Sequence, residues 1–278
     1  MGEFLSKDPL NVASVEKAFR VLEAFGQSTE EMRLSDIVAA TGLDKSAAQR
    51  FAHSLWQAGY LEKNERTRHF RLGKRILDLS FFYLRSNPLI EAATPALVEL
   101  RRACGERVNL SLFDDLTLIY AIRQQSKREY FHGTLIGRRV PVFSSAGGRA
   151  VLACLPDDRV ADIFARSDLT PLTPRTITDP VVLWQKVAEA RENGYGLAAE
   201  ETVAGEIIVG VAITDAEGAP IAAVHVAGSV ADWTPEQFAA RFAPLAMETA
   251  QSLSRSRTMA PARFQGPSKL RTLSDTAA

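Results

Sequence analysis

At 278 residues, with 46% hydrophobic and 24% charged side chains and no net formal charge, the chain suits two ordinary domains and is too apolar for wholesale disorder. No apolar run approaches the ~20 residues that cross a bilayer, and the first twelve residues lack the ordered regions of a secretory leader, so a cytoplasmic protein is expected. Cys104 and Cys154 lie far apart with no CxxC neighbour, as expected of free thiols in a reducing compartment.

In chain order, residues 14–25 place Val15, Ala18, Phe19, Leu22 and Phe25 at helical spacing, with Ser14 as the expected N-cap. Leu34, Ile37 and Val38, with Ser35 near the start, predict a second short helix. It ends at Gly42, because glycine accepts the left-handed backbone with little strain. Asp44 is placed to cap a third helix over residues 45–57. Its inward face is Ala48, Phe51, Ala52 and Leu55, and its solvent face carries Lys45, Ser46, Gln49, Arg50 and His53. Phe51 and Trp56 are read as core. Three short helices with a tight turn between the second and third make a helix-turn-helix. Tyr60 and Leu61, a polar turn at residues 64–67, and alternation from His69 to Leu72 then predict a two-stranded wing. Arg66, Arg68 and Arg71 sit on it, and His69 is read as structural.

Charge distribution matters more than the neutral sum. Residues 44–75 carry eight Lys/Arg against three acids, a surplus able to lie against a phosphate backbone. Residues 74–86 predict a helix with Ile76, Leu77, Leu79, Phe81 and Phe82, too apolar for a solvated linker and expected to pack against a second subunit.

The second half begins with a helix from Pro88 to Arg102, ended by Gly105. Strands are expected at 108–113 and 117–122 around Asp114-Asp115, with an extended segment at 140–143. Ser144, Ser145, Ala146, Gly147 and Gly148 open a helix running to about Cys154. Asp179-Pro180 starts another, to Asn193. A hairpin joins 207–214 to 221–226, and a capping box at Thr234 opens a last helix to about Arg255. The fold class is therefore α+β and multidomain. The expected bounds are 10–73 for the winged helix-turn-helix, 74–87 for a linker helix, 88–256 for the second domain and 257–278 for a disordered tail.

Residue chemistry argues against catalysis. His53, His69, His132 and His225 are scattered, with none at metal-ligand spacing. Glu200 and Glu201 are adjacent and point to different sides, Ser144-Ser145 lacks a GxSxG elbow, and Ala146-Gly147-Gly148 is no phosphate-binding loop. No catalytic residue, metal or cofactor is expected. An enzyme or metal-dependent domain carrying a helix-turn-helix-like leader is the alternative.

The segments SVEKAFRVLEAF, LSDIVAATGLDKSAAQRFAHSLWQAGYLEK and FRLG, followed by IGRRVPVFSSAGGRAVLACLP, LTPRTITDP, NGYGLAAEE and GAPIAAVHVAG, resemble in order and spacing the IclR family of transcriptional regulators. The resemblance runs from about residue 12 to residue 255. It implies a GAF-like effector domain, a mixed or antiparallel sheet flanked by helices. It also implies a homodimer or homotetramer that binds a palindromic operator in double-stranded DNA, as repressor or activator. Residues 126–150 resemble the subgroup controlling breakdown of aromatic acids such as protocatechuate or 4-hydroxybenzoate, which implies an aromatic or other small carboxylic acid as effector.

The candidate DNA contacts are Ser35, Lys45, Ser46, Gln49, Arg50, His53, Arg66, Arg68 and Arg71. Lysine and serine at the helix start suit phosphates, Gln49 suits adenine, Arg50 suits guanine, and the wing arginines suit the minor groove or phosphates. For the effector, the turn at Ser144, Ser145, Ala146 and Gly147 is a helix start, where unpaired N–H donors and the dipole favour an anion. Family positions that contact a carboxylate fall on Ala146 and Gly147, and further pocket positions on Ala198, Glu206, Ile208, His225 and Ala227. Where relatives that sense small keto acids carry an acid, a cysteine and two serines, this chain has Ala198, Ile208, His225 and Ala227. A roomier pocket, less polar at one end, is expected. Arg123 and Arg138 are further candidates for pairing with a carboxylate.

Overall fold

The computed structural model describes residues 10–27, 31–126 and 136–256. His132 and the tail expected at 257–278 lie outside the described residues. The boundary between two compact units falls between Tyr83 and Leu84.

In the first unit, helices α1 (Ala13–Ala24), α2 (Leu34–Thr41) and α3 (Lys45–Gln57) are followed by strands β1 (Leu61–Lys63) and β2 (Phe70–Leu72), and then by α4 (Arg75–Ser86), which runs across the boundary into the second unit. Gly42 ends α2 with φ 65°, the left-handed conformation expected of it. Asp44 caps α3 by accepting from the Ala47 amide at 2.8 Å. Val21, Ile37, Ala48, Ala52, Leu55 and Leu61 lie at the centre of one apolar core. The hairpin pairs Leu61 with Leu72 and Lys63 with Phe70. Asn64 Oδ1 closes its turn, accepting from the Arg66 and Thr67 amides at 3.0 and 3.1 Å.

Three expectations fail here. The first helix starts at Ala13, and Val12 is its N-cap without a side-chain bond, so Ser14 caps nothing. Val15 and Phe19 are exposed rather than inward, because the buried side of α1 is set by Val21, Ala24 and Phe25. Trp56 is 38% exposed rather than core, its ring 5.4 Å from that of His53 and under the Lys63 ammonium.

The second unit carries α5 (Pro88–Cys104), β3 (Arg107–Asp114), β4 (Thr117–Gln124), β5 (Arg139–Pro141), α6 (Ala146–Ala153), α7 (Asp157–Arg166), α8 (Pro180–Asn193), β6 (Gly196–Ala199), β7 (Glu206–Thr214), β8 (Pro220–Ser229) and α9 (Pro235–Ser254). The six strands form one antiparallel sheet in the order β5-β4-β3-β8-β7-β6. Its outer strands are short, three and four residues. Asn87, Asp179 and Thr234 cap α5, α8 and α9 with their side chains. Helix α7 and strand β6 were not anticipated, and the extended segment at 140–143 forms a strand only as far as Pro141. Among the described residues no helix is long and apolar enough to cross a membrane.

Alternation along the strands gives the sheet two unlike faces. One presents Val108, Leu110, Val209, Val211, Val224 and Val226, packed with α5 and α9 into the larger core. The register sets the other face in rows. Arg107, Ala227, Ile208 and Ala198 lie side by side, and the next row is Arg123, Asn109, His225, Gly210 and Gly196. Ser111 continues it, opposite Tyr120 and Ala223.

Candidate functional site

On the first unit, Lys45, Ser46, Gln49, Arg50 and His53 are all exposed along α3, and Ser35 is exposed in the first turn of α2. Positions 45, 49 and 53 repeat at four-residue spacing, which aligns them on one side of a helix. Arg66 and Arg68 are exposed at the hairpin turn, where Arg68 takes φ 64°. Arg71 differs from them. Its guanidinium is held by Glu62 across the hairpin at 2.7 and 2.9 Å, and this bond lowers the Glu62 carboxyl below its usual range. Its side chain stays exposed on the wing while it makes this surface ion pair. His69 accepts from Arg33 Nε at 2.8 Å, which fits its structural reading.

On the second unit, α6 lies directly on the polar face of the sheet. A Cβ on Gly147 would sit 2.2 Å from His225 Cε1, and one on Gly210 would sit 2.2 Å from the Gly147 nitrogen. Only glycine permits this approach. Ser145 caps the helix, accepting from the Gly148 amide at 3.2 Å. Ala146 closes over Ala198, Ile208 and Ala227 to make a small apolar cluster.

Beside that cluster the buried surface is polar. His225, Asn109, Ser111 and Ser144 are each at most 1% exposed. His225 Nε2 lies 2.6 Å from Ser111 Oγ, and its ring is 5.4 Å from that of Tyr120. Both amide atoms of Asn109, the Ser144 hydroxyl and His225 Nδ1 find no hydrogen-bond partner among the described residues. Such groups are rare in a folded interior, since each forfeits its bonds to water. Burial and then the Arg107 charge push the His225 imidazole down to about 3, so near neutral pH it holds one donor and one acceptor. Burial raises the Tyr120 phenol, which stays protonated.

Arg107 and Glu206 form a buried ion pair beside Ala227, each side chain 7% exposed. Arg123 is half-buried on the same face, and burial lowers its guanidinium. Arg138 is exposed, and its carbonyl accepts from the Tyr120 amide. Of the effector candidates, Ser144, Ser145, Ala146, Gly147, Ala198, Glu206, Ile208, His225 and Ala227 are all buried around α6 and the sheet face. Behind α6, Arg149 is bidentate to Glu201 at 2.7 Å, while Glu200 pairs with Arg175, so the two adjacent carboxylates do diverge. Among the described residues no cluster of His, Cys, Asp or Glu is arranged to hold a metal.

Arg107, Asn109, Ser111 and Tyr120 belong to this buried face without a local sequence signal that marks them. The run RVNLSLF alternates polar with apolar, the signature of a strand with one side in water. Here the polar side is buried beneath α6 instead. The only hint was that α6 follows with small residues able to cover it.

A winged helix-turn-helix on one unit and a buried, incompletely bonded polar cluster on the other fit a DNA-binding regulator that responds to a ligand. Comparison with known proteins fixes the family. Residues 81–255 match the bacterial transcriptional regulator IclR C-terminal domain, and residues 14–65 match the IclR helix-turn-helix domain. The chain belongs to the IclR family of transcriptional regulators, proteins that control transcription and are not enzymes.

It is 29% identical to the transcriptional regulator XynR of Escherichia coli over 77% of this chain and 85% of that protein. It is 27% identical to the p-hydroxybenzoate hydroxylase transcriptional activator of Acinetobacter baylyi, over 87% and 90% of the two chains. The crystal structure of an IclR homologue from Microbacterium hydrocarbonoxydans, complexed with 4-hydroxybenzoate, superposes with a TM-score of 0.71 at 23% identity. That match covers 87% of this chain and 97% of that one.

Proposed function

We propose that the chain is a cytoplasmic regulator of a catabolic operon whose effector is an aromatic or other small carboxylic acid, bound in the pocket under α6. One observation carries this reading. Asn109, Ser144 and His225 bury polar atoms that find no partner among the described residues, beside an apolar cluster and two arginines. A ligand with a flat apolar body and polar ends satisfies all three features at once. The 4-hydroxybenzoate complexed with the Microbacterium homologue, and the p-hydroxybenzoate hydroxylase that the Acinetobacter relative activates, support the same class.

Residues 10–73 then bind a palindromic operator through Ser35, Lys45, Ser46, Gln49, Arg50 and His53, with Arg66 and Arg68 on the wing. Residues 88–256 sense the acid, and 74–87 link the two. Leu77, Leu79, Phe81 and Phe82 on α4 are more than half exposed, an apolar surface that suits a second copy of the chain in a dimer or tetramer. Effector binding favours one arrangement of the paired domains and so alters operator affinity.

The test is a melting-temperature screen of the purified protein against aromatic and aliphatic carboxylic acids, followed by operator binding with and without the best ligand. A dose-dependent rise with aromatic acids and a changed operator affinity are expected. A folded, DNA-binding sample that shifts with no acid sinks the carboxylate pocket. In the DNA half, Arg50→Ala costs about 1–3 kcal/mol of operator affinity and relaxes preference at one base pair. Arg71→Ala has a smaller effect, because Glu62 already occupies its guanidinium.

A further inference from the structure

His225 is fully buried on β8. Its Nε2 meets Ser111 Oγ of the adjacent strand β3 at 2.6 Å, while Nδ1 has no partner among the described residues. A neutral imidazole carries one ring hydrogen, so the pair has two arrangements. With the hydrogen on Nε2 and donated to Ser111, the Ser111 hydroxyl hydrogen needs another acceptor. Among the described residues it has none, because His225 is that hydroxyl's one partner there and Ser111 is itself fully buried. Two buried groups then go unsatisfied, the hydroxyl hydrogen and the Nδ1 lone pair. With the hydroxyl donating to Nε2, only the N–H at Nδ1 is left open.

We infer that Ser111 fixes the tautomer of His225 by donating to Nε2, and that the Nδ1–H so formed is a donor to the effector's carboxylate at the start of α6. The inference rests on the effector pocket proposed above. It adds the ring nitrogen that carries the hydrogen and the residue that puts it there.

The imidazole stands at the start of that helix. A Cβ on Gly147 would come within 2.2 Å of His225 Cε1, the carbon bonded to Nδ1, so the ring rests against the first turn of α6. The leading amides of a helix have no partner within it, and the dipole there favours an anion. Ser144, next to the N-cap Ser145, is fully buried with a hydroxyl that finds no partner among the described residues. Asn109, opposite His225 in the register, adds an amide in the same state. A carboxylate accepts and never donates, so it suits a place ringed by open hydrogens. The charge that acts on the imidazole is the Arg107 cation, which favours the neutral ring. Near neutral pH the hydrogen on Nδ1 is therefore a matter of tautomer. The opposite tautomer turns a lone pair toward the same place and repels an anion.

The test reads the tautomer directly. In the full chain with isotopically labelled histidine nitrogens, magnetic resonance separates a ring nitrogen that bears hydrogen from one that does not. The His225 signals are those missing from His225→Gln. The wild type is expected to carry hydrogen on Nδ1, and saturating benzoate is expected to move the Nδ1 signal without changing the tautomer. Ser111→Ala is expected to lose the single tautomer and to bind benzoate and 4-hydroxybenzoate about tenfold more weakly in titration calorimetry. Ser111→Thr keeps a hydroxyl and is expected to restore both. A serine that merely filled space would change stability and leave the tautomer alone.

Hydrogen on Nε2 in the wild type overturns the inference without the need of any variant. So does a Ser111→Ala protein that keeps the wild-type tautomer, or one that loses it and binds the acids as the wild type does. In each of these outcomes acid binding by the wild type leaves the pocket reading standing. If the wild type binds neither acid, the donor role of Nδ1 falls whatever the tautomer, and the pocket reading falls with it only when the wider acid screen is also blank.

Discussion

The two faces of the sheet come from the same strands, and they are built for opposite ends. Toward α5 and α9, Val108, Leu110, Val224 and Val226 fill a dry core in which every group finds apolar company. One residue along on the same strands, Asn109, Ser111 and His225 are just as buried, yet several polar atoms of Asn109 and His225 find no partner among the described residues. Equal burial therefore does not mean equal purpose. The first face contributes stability; in the function proposed above, the second gives up some of it to receive the effector. Proteins leave groups in that state chiefly at functional sites.

The contrast can be broken by substitution. The largest stability effect is expected from Leu110→Ala on the apolar face, about 2–5 kcal/mol, because Leu110 is fully buried and a cavity would remain. Chemical denaturation measures it, and ligand binding of the folded fraction should persist. Asn109→Leu, of similar size, should behave oppositely. It removes polar atoms that have no partner among the described residues, so stability changes by less than about 1 kcal/mol, or improves. The melting-temperature response to acids disappears. A loss of several kcal/mol from Asn109→Leu would mean that the asparagine belongs to the framework and that the two faces do not differ as argued.

A further effect on the polar face depends on pH. His225 is held at about 3 when folded against an ordinary 6.5. Its contribution to stability is fully present above pH 6.5 and is lost as the pH falls toward 3, where the unfolded chain takes a proton that the folded protein refuses. Melting curves of His225→Gln between pH 7 and pH 4 should show a shallower acid-side decline than wild type. Parallel curves would show that the imidazole is not kept neutral by its site.

How legible each part was in the sequence follows from the range of the interactions involved. Asp44, Asp179 and Thr234 announced their helices because capping acts within three residues. Gly42 and Gly105 marked helix ends for the same local reason. The candidate site was legible where small residues flagged a close approach, at Ala146 and Gly147. It was illegible at Arg107 and Asn109, because whether a polar strand face meets water or a covering helix depends on a segment some forty residues away. Val15, Phe19 and Trp56 erred the other way. Their helical spacing was real, but spacing does not say which apolar stripe the fold covers.

The short outer strands have a consequence for the protein in a crowded cell. A sheet with long free edges can recruit further chains through its backbone and grow into fibres. Here one margin is only Arg139–Pro141, where the proline has no amide to offer, and the other is the four residues Gly196–Ala199. Neither gives an incoming strand enough rungs to hold. Runaway stacking of the sheet through these two strands is therefore disfavoured.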